Sequence, residues 1–351
     1  IGLGKKKDCQ NRSVVTTPTE IVKYMVDKTL SKVCEGKTPS EILNISVADI
    51  ACGSGIFLEE AFAYLQDYCV QWYICNGQTD HLIETGIDLY KLPLQEKKDI
   101  LCSCIYGIDI DIHAVEVAKF SLLIKLIEDE TAPSVSEVVP ILPDLGDNIQ
   151  FGNSLVSQTE LNGISGANRQ MMEIAPFDWS TINNGCGFDV IIGNPPYVNT
   201  EGMHALLPSA EVEVYKKKYK TSHKQFDKYF IFIEQAINKI NENGLVCYIV
   251  PNKFFKIGAG EKLRNLIAKE RMLVSLDDFG DAQLFEDKTI YSSIILLSKA
   301  KQTSFVYSSV DSANKLWAGE EVSSIELNSS VLNKLPWRLT TDFEFLTMLQ
   351  R

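Results

Sequence analysis

The sequence has no apolar run long enough to cross a bilayer, and no N-terminal segment with a basic start and a small-residue cleavage site. These absences argue against a membrane span or a secretory signal and leave the cytoplasm as the expected location. Internal repeats and low-complexity tracts are also missing, which excludes a solenoid. The 351 residues, 45% hydrophobic and 23% charged, are typical of a globular chain with one large α/β domain, or with one domain and a small appendage.

Positive charge is scarce, because the formal net charge is -12. A protein that binds nucleic acid by itself is usually basic, so this balance counts against one, although a local basic groove stays open. The chain starts at Ile1 rather than Met. We therefore expect a fragment of a longer protein, whose other parts would carry the basic surface.

A disulfide framework is not expected, since the nine cysteines are odd in number and most lie in apolar segments. Cys102 and Cys104 are two residues apart, without a second pair at zinc-finger spacing. We interpret them as small buried hydrophobes, and we predict no metal site.

Strands and helices alternate along the chain. A β-type run at 45–51 ends in a glycine-rich turn before a helix at 56–70, which is the opening unit of a doubly wound sheet. A second run at 105–110 leads into a helix at 113–127, and 188–193 is typical of a strand buried on both faces. The pattern predicts an α/β fold with a mostly parallel sheet and helices on both faces.

The connections between these elements carry weaker signals. Residues 71–100 indicate a partly helical insertion, whereas 157–187 and 199–224 are predicted to be loops. Further strands are predicted near 245–250 and 273–277, and others follow at 290–297 and 304–309.

The glycine-rich turn Asp49–Gly55 lies at the carboxyl end of the first predicted strand, where open α/β sheets bind ligands. Its spacing differs from G-x-G-x-x-G, so a dinucleotide is disfavoured, and an acidic residue before the turn suits a ligand with a positive amino group. Asp109 closes the next strand, where a carboxylate can accept hydrogen bonds from both ribose hydroxyls of an adenosine. The alternatives are an ordinary turn and a helix N-terminal acid, a role that Asp111 fits better.

The most specific pattern is Asn194-Pro195-Pro196-Tyr197 at the end of a buried strand. Two prolines stop the strand ladder and stiffen the turn, so the Asn194 side-chain oxygen and the Pro195 carbonyl can converge on one point. Two converging acceptors suit a planar amino group with two hydrogens, and Tyr197 offers a face for a stacked base. A rigid turn without chemistry is the alternative.

With these motifs the chain resembles the N6-adenine DNA methyltransferases of the gamma motif order, as in the methyltransferase domain of type IIG restriction–modification enzymes. The resemblance implies the class I Rossmann-like fold with a seven-stranded sheet, S-adenosylmethionine as cofactor, and double-stranded DNA as partner. The catalytic residues that it implies are Asn194, Pro195, Pro196 and Tyr197. The cofactor residues that it implies are Thr17, Pro18, Asp49, Ala51, Cys52, Gly53, Gly55, Phe57, Leu58, Asp109, Ile110, Asn153, Ser154 and Leu155.

Some of the residue roles that the resemblance implies are less well supported by the residues themselves. Phe57 and Leu58 fit a core role better than contact with adenine, and Asn153 stands where many relatives have Asp, which changes the donor and acceptor pattern. For the aromatic that packs on the flipped base we choose Phe285 over Tyr291. The lysines after the catalytic turn either contact DNA phosphates or form a solvated face. They are Lys216, Lys217 and Lys218, for which we predict phosphate contacts, followed by Lys220 and Lys224.

The implied reaction is direct transfer of a methyl group to adenine N6 after base flipping, without a covalent enzyme intermediate. Rival functions are methylation of a protein glutamine or of an RNA amino group, and a catalytically silent DNA-binding module of phage defence. We predict a linker at 1–14, the methyltransferase domain at 15–332, and a connector toward a recognition domain at 333–351. Recognition and any nuclease activity would then lie in other parts of the full-length protein.

Overall fold

The computed structural model describes residues 17–131, 140–282, 284, 291–317, 319–320 and 322–342. The predicted linker 1–14, the predicted aromatic Phe285 and residues 343–351 of the predicted connector lie outside these residues. The chain divides into two compact units. The N-terminal unit comprises Val22–Ser154 and Phe177–Gly193, and the C-terminal unit comprises Ile1–Ile21, Leu155–Pro176 and Asn194–Arg351.

The N-terminal unit contains a four-stranded parallel sheet of order β6-β1-β4-β5 and a separate hairpin, β2-β3. Its strands are β1 (Val47–Asp49), β2 (Ile83–Gly86), β3 (Leu89–Lys91), β4 (Ile105–Asp109), β5 (Ile149–Phe151) and β6 (Phe188–Gly193). Its helices are most of α1 (Thr19–Cys34), with α2 (Pro39–Ile42), α3 (Ile56–Cys75), α4 (Leu94–Cys104) and α5 (Ile112–Ile127). All three residues of β1 are buried, as expected for a strand covered on both faces.

The C-terminal unit contains five strands in the order β11-β10-β8-β9-β7. Strand β8 pairs in parallel with β10, and the other three pairings are antiparallel. The strands are β7 (Ile240–Pro251), β8 (Leu273–Asp278), β9 (Ser292–Ser298), β10 (Ser304–Ser309) and β11 (Ser323–Asn328). The helices are α6 (Ala167–Ile174), α7 (Thr200–Leu206), α8 (Ser209–Lys218), α9 (Lys228–Lys239), α10 (Glu261–Lys269) and α11 (Ala313–Trp317).

The predicted α/β class is confirmed, but two parts of the prediction were wrong. The units contribute four and five sheet strands in the described part of the chain, rather than seven in all. The segments 157–187 and 199–224 are not plain loops, because they contain α6, α7 and α8. These helices have seven to ten residues and polar faces, so their apolar periodicity is too short to stand out from the sequence.

The beginning of the predicted connector packs onto the C-terminal unit. The Trp337 ring stacks on Phe255 with centroids 6.0 Å apart, and its backbone N–H donates to the Phe255 carbonyl at 2.9 Å. The buried guanidinium of Arg264 donates to the Lys334 carbonyl at 3.1 Å. Residues 334–337 are therefore part of the packed unit.

Among the described residues, no helix combines the length and apolarity needed to cross a membrane. The same residues contain no group of three or more His, Cys, Asp or Glu side chains placed to hold a metal ion. The eight described cysteines are free thiols.

Candidate active site

The glycine-rich turn of the N-terminal unit joins β1 to α3. Gly53 and Gly55 have φ values of +54° and +91°, which only glycine adopts easily. A Cβ on Gly55 would lie 3.0 Å from the Ala118 Cβ of α5, so this position also requires close packing. The Cys52 backbone N–H donates to the Ile108 carbonyl at 3.0 Å, which ties the turn to the end of β4.

Two carboxylates close the neighbouring parallel strands β1 and β4. Asp49 is 3% exposed, and its Oδ1 accepts from the Ala51 backbone N–H at 3.0 Å. Asp109 accepts from the Gly53 N–H at 2.8 Å with Oδ2 and from the Asp111 N–H at 2.8 Å with Oδ1. The turn therefore holds both predicted ligand-binding acids through its own backbone.

These two acids repel each other when both are ionised. Burial, with a smaller contribution from the nearby Asp109 charge, raises the pKa of Asp49 to about 7 against the opposing effect of the hydrogen bond from Ala51. Burial is also the main reason that the pKa of Asp109 is raised. Two desolvated acids at one strand edge favour a ligand that brings positive charge, because it would stabilise both ionised forms.

The remaining cofactor candidates of this unit fall into two groups. Phe57 and Leu58 are 2% and 0% exposed and belong to the packed face of α3, which is the core position that we expected for them. Ile110, by contrast, is 44% exposed beside Asp109. Asn153 and Ser154 are buried, and the Ser154 hydroxyl donates to the Ile50 carbonyl at 2.6 Å, which fixes the segment after β5 to the glycine-rich turn.

Gly193, the last residue of β6, lies against Asp49. A Cβ at Gly193 would be 2.7 Å from the Asp49 Oδ1, and 2.8 Å from its Oδ2, so no larger residue fits while the carboxylate keeps its place. The next residue along the chain is Asn194.

In the C-terminal unit, the Asn194 amide is held from both sides. Its Nδ2 donates to the Thr17 Oγ1 at 3.0 Å, and its Oδ1 accepts from the Tyr197 hydroxyl at 2.5 Å. The Tyr197 hydroxyl also lies 2.8 Å from the Ile249 carbonyl. This network orients the amide oxygen, which keeps a second lone pair for another donor.

Tyr197 thus has a role that sequence reasoning missed, since only its flat ring was considered. Burial, followed by the negative charge of Asp227, raises the pKa of Tyr197 well above its usual value, so the hydroxyl remains a donor. Its ring meets Tyr229 edge-on at 5.9 Å. The only signal in the sequence for this orienting role is that the residue is a tyrosine, which has a hydroxyl, and not a phenylalanine.

The N-terminal candidates Thr17 and Pro18 precede α1. Thr17 is 4% exposed and contacts Asn194. The carbonyl of the next residue, Pro18, accepts from the Ile21 N–H at 3.1 Å at the start of the helix. The predicted motif before α1 therefore reaches the predicted catalytic residue within one unit.

The three candidate phosphate-binding lysines differ in their surroundings. Lys217 is exposed and pairs with Glu213 at 2.6 Å, and Lys216 lies 3.3 Å from a ring nitrogen of His204. Lys218 is directed inward, where its ammonium meets Glu160 at 2.9 Å and donates to the Leu155 carbonyl at 2.9 Å. Desolvation lowers the pKa of Lys218 from its usual value. Lys218 therefore supports the candidate cofactor residue Leu155.

Phe285, the aromatic predicted to pack on the flipped base, lies outside the described residues. Tyr291 is 50% exposed directly before β9, and its carbonyl accepts from the Asn252 N–H at 2.8 Å.

Comparison with known proteins gives these motifs a family. Residues 103–285 match the Eco57I restriction-modification methylase family, and this match includes Asp109, Asn153–Leu155 and Asn194–Tyr197. The chain belongs to this family. The matched region covers just over half of the sequence, so the assignment to the Eco57I methylase family does not depend on a single motif.

Two curated relatives extend the match. The type II restriction enzyme and methyltransferase RM.Eco57I of Escherichia coli is 41% identical over 338 residues, covering 94% of this chain and 33% of the relative. The type II methyltransferase M.BstVI of Geobacillus stearothermophilus is 24% identical over 257 residues, covering 72% of this chain and 37% of the relative. The chain thus spans about a third of the length of these two proteins.

Solved structures support the fold. A DrdV–DNA complex has a TM-score of 0.64 at 15% identity, covering 96% of this chain and 32% of the other. A Listeria monocytogenes protein assigned to the class I S-adenosylmethionine-dependent methyltransferases has a TM-score of 0.51 at 16% identity, covering 88% of this chain and 72% of the other. This member of the Eco57I methylase family therefore has the class I methyltransferase fold.

Proposed function

We propose that the chain transfers a methyl group from S-adenosylmethionine to the N6 amino group of adenine in double-stranded DNA, as the modification module of a restriction–modification system. The observation that carries the proposal is the Asn194 amide, whose oxygen is oriented by the Tyr197 hydroxyl and whose nitrogen is committed to Thr17. Membership in the Eco57I methylase family supports the same chemistry.

The N-terminal unit fits the cofactor. The raised pKa of Asp49 and the Asp109 carboxylate at the next strand end suit a ligand with a cationic head and a ribose. We assign Asp49 to the positive end and Asp109 to the ribose hydroxyls, with the turn Ala51–Gly55, Ile110 and the residues Asn153 and Ser154 around the rest of the molecule. When bound, S-adenosylmethionine supplies an electrophilic methyl group.

The catalytic turn acts on the base. Asn194 Oδ1 accepts one hydrogen of the adenine amino group, and the Pro195 carbonyl accepts the other, which helps the nitrogen lone pair leave conjugation with the ring. In the transfer, the amino nitrogen would bond to the methyl carbon while the carbon–sulfur bond broke and left its electron pair on sulfur, and the amino group would lose a proton to water. Pro196 keeps the turn rigid, and Tyr197 orients the amide.

We propose phosphate contacts for the exposed Lys216 and Lys217 only, since Lys218 is held by Glu160 and Leu155. We propose that the methyltransferase domain, predicted at 15–332, extends to Trp337, and that the connector toward a recognition domain begins beyond it. Because RM.Eco57I carries both enzyme names on a chain about three times as long as the matched part, we assign target choice and cleavage to other parts of the full-length protein. Such an enzyme works on chromosomal DNA in the cytoplasm.

The full-length protein with labelled S-adenosylmethionine tests the proposal. We expect label in duplex DNA and N6-methyladenine among the digested nucleosides. Release factor and RNA are offered in parallel reactions as substrates for the rival functions. Label in a glutamine, an RNA base or cytosine would contradict the adenine assignment, and cofactor binding without turnover on any DNA would favour the catalytically silent module.

A further inference from the structure

A buried carboxylate without an assigned role lies beside the catalytic turn. Asp227 is 5% exposed and directly precedes α9. Its backbone forms a β-bridge with Asn199, two residues after Tyr197, and the Lys228 N–H donates to the Val198 carbonyl at 2.8 Å. The segment that leaves the catalytic turn is thereby attached to Asp227.

Asp227 does not serve the helix that it precedes. An aspartate at this position usually accepts from the first backbone N–H groups of the helix, but its side chain makes no such bond. Its Oδ1 is buried without a hydrogen-bond partner, an arrangement that is uncommon in native proteins and usually has a reason. The other oxygen, Oδ2, meets the Lys253 ammonium at 2.9 Å.

The two partners differ sharply in exposure, since the side chain of Asp227 is 6% exposed and that of Lys253 is 48% exposed. An ammonium has three donor hydrogens, so a single bond to Asp227 leaves the others for a ligand. The ammonium of Lys253 is therefore accessible to solvent while the buried carboxylate of Asp227 holds it in place.

The backbone around Lys253 is also fixed. Two carbonyls of β7 before it meet tyrosine hydroxyls: the Ile249 oxygen lies 2.8 Å from the Tyr197 hydroxyl, and the Pro251 carbonyl accepts from the Tyr229 hydroxyl at 3.1 Å. Phe254, directly after Lys253, is fully buried. The same strand end thus carries both the support of the catalytic tyrosine and the exposed ammonium.

We propose that Lys253 is an anchor for a DNA phosphate next to the target nucleotide, and that Asp227 is the positioning residue that holds it. This inference rests on the proposed function. Lysines on phosphate oxygens set the register of DNA on a protein, and an ammonium that is already held loses little side-chain freedom on binding. A phosphate held at this strand end would place its nucleotide beside the catalytic turn.

The test uses the full-length protein, with methylation kinetics on duplex DNA at several salt concentrations. In Lys253→Gln we expect the KM for DNA to rise about tenfold, with kcat and cofactor affinity unchanged, and the slope of log affinity against log salt to become shallower by about 1. Lys253→Arg should restore most of the loss. Lys256→Gln, three residues further along and also exposed, is the matched control and should leave the slope unchanged.

Two further variants separate positioning from folding. Asp227→Asn keeps the shape and removes the charge, so it should raise the KM in the same direction by a smaller factor. The double variant Asp227→Asn/Lys253→Gln leaves no unpaired buried charge, and it should be no worse than Lys253→Gln alone if Asp227 acts through Lys253.

Different failures lead to different conclusions. An unchanged KM and salt slope in Lys253→Gln and in the double variant, with an active wild type, would overturn the anchor. A lowered melting temperature with an unchanged slope would identify a purely structural ion pair and overturn it equally. If the wild type does not methylate DNA, the proposed function fails, and filter binding of the same variants to DNA still measures the slope.

Discussion

The two units hold their site residues by different kinds of contact. In the N-terminal unit, Asp49 and Asp109 each accept from a backbone N–H two residues further along the chain. In the C-terminal unit, Asn194 depends on Thr17, 177 positions away, and Tyr197 on Ile249, 52 positions away. The acids proposed to bind the cofactor are thus positioned mainly by their own turns, whereas the proposed catalytic amide is positioned only in the folded unit.

The largest expected effect separates these two arrangements at Asn194. Asn194→Ala should lower single-turnover methylation on the order of a thousandfold, because it removes an oriented acceptor used in the transition state. Cofactor affinity, measured by calorimetry, should stay within about twofold of wild type, since Asp49 and Asp109 keep their local contacts. Asn199→Ala is the matched control in the same segment, and methylation that survives Asn194→Ala would refute the catalytic assignment.

A second variant tests the N-terminal unit. Asp109→Ala should weaken cofactor binding by about 10- to 100-fold, because it removes acceptors for the ribose hydroxyls. Asp111→Ala is the control, since Asp111 is the exposed cap of α5 and accepts from the His113 N–H. Calorimetry at fixed pH checks both variants, and equal affinities for Asp109→Ala and wild type would rule out the ribose role.

Tyr197 distinguishes orientation of the amide from stacking of a base. Tyr197→Phe keeps the ring and removes the hydroxyl that meets Asn194 and Ile249, so kcat should fall about tenfold with little change in the KM for DNA. Tyr197→Leu, which removes the ring as well, should raise that KM too. If Tyr197→Phe has the kcat of wild type, the hydroxyl network does not contribute to catalysis.

The same contrast explains how much could be predicted from the sequence. The turn Asp49–Gly55 and the acid Asp109 were predictable because the contacts of their side chains are short-range or follow from parallel strands ending together. The Thr17–Asn194 bond and the inward direction of Lys218 were not, because their partners are brought together only by tertiary folding. In the sequence, a lysine that donates to Leu155, 63 positions earlier, cannot be distinguished from a lysine that points into solvent.

Asp49 gives a pH dependence with opposite signs for stability and binding. Burial raises its pKa to about 7 from an ordinary value of 3.8, so the folded protein without ligand holds a proton that the unfolded chain releases. The contribution of this group to stability is therefore full at low pH and is lost as the pH rises through about 4 to 7. Cofactor affinity should instead increase as the pH rises toward 7, by up to about tenfold per pH unit, because a cationic ligand binds the ionised form of Asp49 more tightly than the protonated form.

Asp49→Asn provides the comparison for this pH dependence. It should flatten both profiles, measured by thermal melting and by calorimetry in buffers of different ionisation enthalpy. A steep affinity profile that persists in Asp49→Asn would assign the titration to another group.

The smallest effects concern the lysines after the catalytic turn, where neighbours differ in direction. Lys217→Gln should weaken DNA binding about two- to threefold at low salt and reduce the salt slope by about 1, as one phosphate contact would require. Lys218→Gln should leave the slope unchanged and lower the melting temperature, because the Lys218 ammonium supports Glu160 and the Leu155 carbonyl inside the unit. If Lys218→Gln changed the slope as much as Lys217→Gln, this segment would have to open toward DNA, and the bond to Leu155 would connect DNA binding to the cofactor residues.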